Sequence, residues 1–170
     1  LYTLVLKQRT VWNVVIGGAA GSFALLAGAV AARPEFGPVI GPVPALLSVV
    51  LFLWTPPHFW ALAAVRGEDY RRAGIPMLPV THGAEVWAPV IFAHVAALSA
   101  LSLGPLFYGY GAIYGIFAGV SGAVFLVASW RLLRDPSRGN AKATFHASLL
   151  HFALLSLGVI LDRGAAAWLA

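Results

Sequence analysis

Two things are scarce in this sequence of 170 residues: it contains no cysteine, and only 10% of its residues are charged. The missing cysteine excludes disulfide bonds and thiolate chemistry, and it leaves the redox compartment undetermined. The scarcity of charge says more, because 60% of the residues are hydrophobic and a soluble domain of this length needs far more charge to cover its surface. The composition therefore predicts an integral membrane protein.

Four long runs of the sequence contain no Asp, Glu, Lys or Arg, and they mark the predicted membrane spans. A helix needs about 20 apolar residues to cross the hydrocarbon core, so the run 86–130 is long enough to cross twice. Gly104 and Pro105 offer a turn inside that run, whereas a closed β-barrel would need short alternating segments. We predict one all-α membrane domain over residues 1–170, a polytopic bundle with five transmembrane helices near 12–32, 40–65, 86–104, 111–133 and 143–162.

The net charge of +5 first suggests a nucleic-acid partner, but the distribution of the basic residues argues for a membrane surface instead. With five crossings, nine of the 11 Lys and Arg residues fall on one side, and only Arg33 and Arg163 fall on the other. Such a bias predicts that the first side is cytoplasmic. Its cations would face anionic headgroups or an anionic substrate, so we expect any chemistry on this basic side and no nucleic acid.

Three stretches on the basic side contain candidate functional residues, and the first of them enters the first full span. Lys7 and Arg9 lie just before this span, and Asn13 lies one turn inside it. Cations beside the start of a helix suggest an anion site, although ordinary topology signals explain the same two residues. An amide inside a span needs a hydrogen-bond partner, so Asn13 is the stronger candidate.

The second stretch combines prolines and aromatic residues near the end of the second span. Pro56 and Pro57 remove backbone hydrogen bonds and bend a helix, and open backbone at membrane depth is tolerated where it lines a cavity or meets another protein group. Trp54 and His58 are four residues apart and share one helix face. The pattern predicts a pocket with an aromatic wall, although a lone histidine also serves as an interhelical hydrogen-bonding group and tryptophan as an interfacial anchor.

The third stretch is a knot of charge at the end of that span. Glu68 and Asp69 lie among three arginines, and carboxylates suit Mg²⁺, which bridges to substrate phosphates, while arginines suit diphosphate oxygens. A helical path from His58 to Asp69 rises about 16 Å, which places this carboxylate at the rim of the predicted pocket. The alternative is a solvated loop of mutually paired charges. A two-metal site would need a second acidic cluster, and the sequence has none.

Three stretches also carry a family resemblance: YTLVLKQRTVWNVVIGGAAG, FLWTPPHFWALA and EDYRRAGIPMLPV. They resemble signature stretches of the protoheme IX farnesyltransferases (heme O synthases), a branch of the UbiA-type intramembrane prenyltransferases, and the resemblance runs along the whole chain. WTPPHFWALA and AGIPMLP discriminate better than the acidic cluster, which other UbiA branches share. The resemblance implies a bundle of nine helices when complete, open to the cytoplasmic side of a bacterial inner membrane, with the five helices here as its C-terminal portion.

The implied activity is transfer of the farnesyl group of farnesyl diphosphate to a vinyl group of heme b, which yields heme O for terminal oxidases. Expected partners are therefore farnesyl diphosphate, heme b, the lipid bilayer and terminal oxidase assembly factors, with Mg²⁺ bridging the diphosphate. Asp69 matches the second acidic motif as a catalytic residue and metal ligand. The other expected catalytic residues are Tyr70 and Asn13, and the expected substrate-binding residues are Lys7, Arg9 and Arg72 for the diphosphate and, by our own assignment, His58 and Trp60 for heme.

The sequence departs from the family pattern in two places. The first acidic motif of the family lies upstream of the matched segments and is absent, so we expect residues 1–170 alone to be inactive. Ala24 and Leu25 stand where members usually carry two prolines. Two other functions stay open: another UbiA prenyltransferase acting on a quinone or chlorophyll precursor, or a transporter or non-catalytic heme carrier with a broken helix and a basic rim.

Overall fold

The computed structural model describes residues 8–32 and 39–169. Over these residues the chain is helical and has no strand, which confirms the all-α prediction, and five helices are long and apolar enough to cross a membrane. The five are α1 (Asn13–Ala31), α2 (Pro42–Val65), α5 (Ala84–Leu101), α6 (Ala112–Arg134) and α7 (Arg138–Leu169), while two short helices, α3 (Gly67–Arg72) and α4 (Leu78–Thr81), connect α2 to α5.

The observed helices lie close to the predicted spans, and the largest difference is at α7, which begins at Arg138 instead of residue 143 and ends at Leu169 instead of residue 162. The residue before Pro136 is extended, with φ −141° and ψ 96°, as a following proline requires, so α6 ends there. The Ser137 hydroxyl then accepts a hydrogen bond from the backbone N–H of Asn140 at 3.4 Å. This is an N-cap arrangement, and it starts α7 five residues before the predicted span.

The central helix of the bundle is α2, which packs against α1, α5 and α7, while α6 packs between α5 and α7. Helices α2, α5, α6 and α7 thus form a four-helix unit, with α1 against the outer side of α2. Small residues allow the close approach of these helices. A Cβ at Gly158 of α7 would lie only 2.8 Å from the Cβ of Phe117 on α6, so this contact depends on glycine.

A carboxylate from α7 completes the start of α6. The side chain of Asp162 accepts hydrogen bonds from the backbone N–H groups of Gly111, at 3.0 Å, and Tyr114, at 3.3 Å. Arg163 donates to Asp162 at 2.9 Å, and its guanidinium lies 3.9 Å from the centre of the Tyr110 ring. These contacts tie α6 to α7 at the end of the bundle opposite the basic side.

Candidate functional site

A pocket of about 610 Å³ lies between α1, α2 and the segment that contains α3 and α4. We call it the α1–α2 pocket. It brings together Asn13 and Tyr70, two residues that the sequence places 57 positions apart. The rest of its wall is apolar or small, from residues that include Gly17, Gly18, Thr55, Phe59, Ile75 and Met77.

Asn13 is the innermost polar group of this pocket, with only 2% of its surface exposed. Its side-chain amide donates to the backbone oxygens of Thr10, at 2.8 Å, and Pro76, at 3.3 Å. Among the described residues, two backbone oxygens therefore serve as partners for this intramembrane amide, as an amide inside a span requires. Asn13 holds the loop around Pro76 against the start of α1.

Tyr70 is half-buried where α3 closes the pocket. Burial raises the pKa of its hydroxyl above the ordinary value near 10, and the positive charge of Arg66 acts weakly in the opposite direction. Tyr70 is thus a neutral hydrogen-bond donor at physiological pH. Within the described residues no protein group accepts a hydrogen bond from this hydroxyl, so it can donate to a ligand.

The two carboxylates of α3 differ in their engagement with the arginines. Glu68 accepts hydrogen bonds from Arg71 at 2.6 Å and from Arg72 at 3.1 Å. Among the described residues, Asp69 has one distant ion-pair partner, Arg66, at 3.9 Å, and both side chains are 65% exposed. The paired-charge alternative therefore applies to Glu68, whereas the oxygens of Asp69 remain accessible to a ligand.

Asp69 directly precedes Tyr70 in α3, but its side chain is exposed and is not part of the lining of the α1–α2 pocket. Among the described residues there is no group of three or more His, Cys, Asp or Glu that could cage a metal. Mg²⁺, however, is commonly held by one or two carboxylates together with substrate phosphates and water. One accessible carboxylate in a short helix that also carries Arg71 and Arg72 fits that mode of binding.

The remaining basic candidates lie at the same end of the bundle. Arg9 is exposed just before α1, and Arg72 is exposed on α3 with a 75% accessible side chain. Lys7 lies outside the described residues, so its assignment stays a prediction. The accessible cations and Asp69 therefore lie at the same end of the bundle as the α1–α2 pocket, outside its lining.

His58 and Trp60 do not line this pocket, which corrects the picture of a single aromatic-walled chamber. Successive residues of a helix point about 100° apart, so Thr55 and Phe59 face the pocket while His58 faces α7. Trp60 is 1% exposed, and its ring lies 5.5 Å from that of His94 on α5. The heme role assigned to His58 and Trp60 stays a prediction, and it cannot depend on this pocket.

Trp54 and His58 instead form a junction between α2 and α7. Their rings stack with centroids 4.3 Å apart, so the predicted shared face exists. The Trp54 indole N–H donates to the backbone oxygen of Ser148 at 2.8 Å, and His58 Nδ1 lies 2.7 Å from the Ser148 hydroxyl. Pro56 and Pro57 are buried inside α2, which stays one helix through both of them.

The junction selects one tautomer of His58. The Ser148 hydroxyl also lies 2.6 Å from the backbone oxygen of Phe145, which can only accept. A hydroxyl has one hydrogen, so when both bonds form, that hydrogen goes to Phe145 and His58 Nδ1 must be the donor. His58 Nε2 then carries the lone pair, available to accept a proton or hydrogen bond.

A second, apolar cavity of about 420 Å³ lies between α1, α2 and α7 on the far side of Trp54. Trp54, Leu51, Phe152 and Leu155 are among its lining residues, with His151 as the largest polar one. His151 is 1% exposed, and its Nε2 lies 3.3 Å from the Ser102 hydroxyl. Helix α2 therefore has the α1–α2 pocket, with its polar groups, on one side and an apolar cavity on another.

Sequence reasoning did not single out Thr55, Phe59 or Met77 of the α1–α2 pocket. The available signal was the four-residue spacing of Thr55 and Phe59, which places them on one face. The same spacing links Trp54 to His58, so spacing alone does not tell which of these two faces lines the pocket.

Comparison with known proteins gives a consistent result. The UbiA prenyltransferase family matches residues 1–165 of the chain. Protoheme IX farnesyltransferase 2 of Paramagnetospirillum magneticum is 47% identical over 162 residues, which cover 95% of this chain and 55% of that protein. Protoheme IX farnesyltransferase of Acidovorax sp. is 44% identical over 164 residues, covering 96% of the chain and 52% of that protein. The chain thus spans about half the length of these curated relatives. No solved structure matches.

Proposed function

Because the chain belongs to the UbiA prenyltransferase family, we propose that the protein transfers the farnesyl group of farnesyl diphosphate to a vinyl group of heme b and so makes heme O. The choice of substrates is supported by 47% identity to a protein named protoheme IX farnesyltransferase 2. The structural observation that carries the proposal is the convergence of Asn13 and Tyr70 in one pocket, with the exposed carboxylate of Asp69 next to Tyr70 in the sequence.

The diphosphate binds at the entrance of the α1–α2 pocket in this proposal. Arg9 and Arg72 are exposed at the same end of the bundle, and the Tyr70 hydroxyl donates to a diphosphate oxygen from inside the pocket. Asp69 would hold Mg²⁺, which neutralises negative charge that develops on a departing diphosphate. Donors that face this developing charge stabilise the transition state more than the bound substrate.

The farnesyl chain lies against the apolar wall of the same pocket. When the allylic carbon–oxygen bond breaks, its electron pair leaves with the diphosphate, and the allylic cation must be kept from water until the vinyl group attacks it. That attack moves the positive charge to the vinyl carbon next to the porphyrin ring, where a water molecule adds and loses a proton. The ring of Phe59 and the side chain of Met77 line the wall and exclude water there. An aromatic face also attracts a cation, which gives Phe59 a role beyond volume.

The side of the membrane follows from charge. The α3 arginines and the basic residues around the α6–α7 connection lie at the end where α2 and α6 finish and α7 begins. A concentration of Lys and Arg favours the cytoplasmic face. We place the pocket entrance at the cytoplasmic face of a bacterial inner membrane, where both water-soluble diphosphate and Mg²⁺ are accessible.

The deciding experiment incubates the full-length protein with heme b, farnesyl diphosphate and Mg²⁺ and identifies the product by mass spectrometry. Asp69→Asn should abolish heme O formation while membrane insertion stays normal. Asp135→Asn is the matched control, because Asp135 is an exposed acid on the same side that pairs with Asn140 and lies away from the pocket.

Other outcomes contradict the proposal in distinguishable ways. Wild-type yield from Asp69→Asn would refute the assignment of the diphosphate site. Farnesylation of a quinone or chlorophyll precursor, without heme O, would keep the chemistry and replace the acceptor. Heme binding without any product, in the presence of Mg²⁺ and farnesyl diphosphate, would favour a heme carrier.

A further inference from the structure

The outer surface of the α6–α7 pair carries a groove of about 1160 Å³ that is separate from the α1–α2 pocket. Small residues make room for it between the two helices, and larger aliphatic side chains flank it. Its apolar lining includes Val124, Val127, Ala143, Ala147 and Leu150, and its polar lining is Arg131, Asn140 and His146.

The length of the groove matches one leaflet of a bilayer. From Ala123 to Arg131 the lining follows α6 over eight residues, or about 12 Å at 1.5 Å per residue. Half of a hydrocarbon core about 30 Å thick is about 15 Å. When Arg131 lies at the level of the lipid headgroups on the basic side, the apolar part of the groove therefore extends towards the middle of the membrane.

Arg131 is exposed and, among the described residues, has no carboxylate within ion-pair distance. The nearby acid is Asp135, whose carboxylate accepts a hydrogen bond from the Asn140 amide at 2.9 Å. Arg134 differs, because its guanidinium lies over the Trp130 ring at 6.0 Å. The charge of Arg131 is thus left for an anion from outside the described protein.

His146 offers a second polar group at a different depth. It follows Asn140 by six residues along α7, or about 9 Å towards the membrane centre. Its side chain is exposed, and its ring contacts that of Phe145 at 5.6 Å. An imidazole N–H below the level of Arg131 can donate to a lipid oxygen that lies deeper than the phosphate, such as the ester carbonyl of a glycerolipid.

We propose that this groove binds one anionic phospholipid. Arg131 pairs with the phosphate, His146 with an ester carbonyl, and one acyl chain lies along Val124, Val127 and Leu150. Basic pockets between membrane helices are known to favour anionic headgroups. The proposal needs only that the chain spans a membrane, and it does not depend on the proposed reaction.

The test measures lipid retention by the full-length protein, using native mass spectrometry after exchange into phosphatidylglycerol or phosphatidylcholine. The wild type should retain one phosphatidylglycerol in preference to phosphatidylcholine. Arg131→Gln should weaken this retention about fivefold, which corresponds to about 1 kcal/mol for one basic residue at the surface. Ala143→Leu, which fills the groove and leaves Arg131 in place, should also reduce it.

Arg134→Gln is the matched control and should retain the lipid as the wild type does. Equal loss with Arg134→Gln would mean that diffuse surface charge holds the lipid, and the proposal would be wrong. Unchanged retention with Arg131→Gln, or equal retention of the two lipids, would also overturn it. If the wild type retains neither lipid, the groove does not bind a phospholipid and the proposal is wrong, whether protein covers the groove or it stays open.

Discussion

Removing the Ser148 hydroxyl should weaken the junction between α2 and α7 without touching the proposed diphosphate site. In Ser148→Ala the His58 Nδ1–H loses its acceptor at 2.7 Å, while the bond from Trp54 to the backbone oxygen of residue 148 can persist. His58 is 8% exposed, so water does not readily replace the lost partner. The variant should therefore be less stable and still catalytically competent.

The expected size of this effect follows from two limits. A buried donor left without a partner costs about 1–3 kcal/mol, whereas interhelical hydrogen bonds in a membrane protein average about 0.6 and reach about 1.7 kcal/mol in double-mutant cycles. The short, buried bond to Ser148 belongs near the upper membrane value. We expect a loss of about 1.5 kcal/mol in the free energy of unfolding, or about a tenfold change in the unfolding equilibrium.

The assay is equilibrium unfolding of the full-length protein in bicelles, run as a double-mutant cycle. His58→Phe keeps an aromatic ring beside Trp54 and removes the donor, so Ser148→Ala should cost much less in that background. Ser156→Ala is the matched control, because within residues 8–32 and 39–169 the Ser156 hydroxyl bonds only to its own helix, at Phe152. Additive losses in the cycle, or an equal loss from Ser156→Ala, would refute the reasoning.

Three further predictions concern the α1–α2 pocket in the full-length enzyme. Glu68→Gln releases Arg71 and Arg72 and should lower the KM for farnesyl diphosphate about two- to fivefold, since exposed pairs are worth about 0.2–1 kcal/mol; a raised KM would contradict this. Because burial raises the pKa of Tyr70, its hydroxyl stays protonated beyond pH 9. Tyr70→Phe should therefore lower kcat/KM by the same factor at pH 7 and pH 9. A ratio of wild-type to variant kcat/KM that changes between the two pH values would exclude a neutral donor. A Cβ at Gly18 would lie 3.0 Å from that of Thr55, so Gly18→Leu should cost about 1–3 kcal/mol of stability and block the pocket. Gly28→Leu is the control and should retain activity, because a Cβ at Gly28 would have nothing within 4 Å. Equal activities of the two variants would mean that the substrate binds elsewhere.

The five spans could be predicted from the sequence because charge is so costly in hydrocarbon that its absence marks each crossing. The local rules at chain breaks were harder to recognise. Pro136 and Ser137 together end one helix and start the next, and a loop-like composition concealed that cap. The exact boundary between α6 and α7 therefore depends on a proline and on one side-chain hydrogen bond, and neither effect can be deduced from composition.

The candidate site could be predicted only where its parts lie at the same end of neighbouring spans. Asn13 and Tyr70 meet because the start of α1 and the end of α2 share one side of the membrane, which the span order already implies. The helices that His58 and Trp60 contact could not be predicted, because periodicity shows which residues share a face of a helix but not which neighbouring helix that face contacts. That information is in the packing of α2 against three partners.

The cap at Asp162 has a consequence for how the bundle assembles. Helix α6 enters the membrane with the N–H groups of Gly111 and Tyr114 lacking the acceptor that reaches them from 51 and 48 positions further along the chain. During synthesis, this end of α6 therefore stays incompletely satisfied until the last helix has been threaded alongside it. A ribosome stalled before the codon for Asp162 would leave all of α6 in the bilayer, with N–H groups at its start still lacking their acceptor.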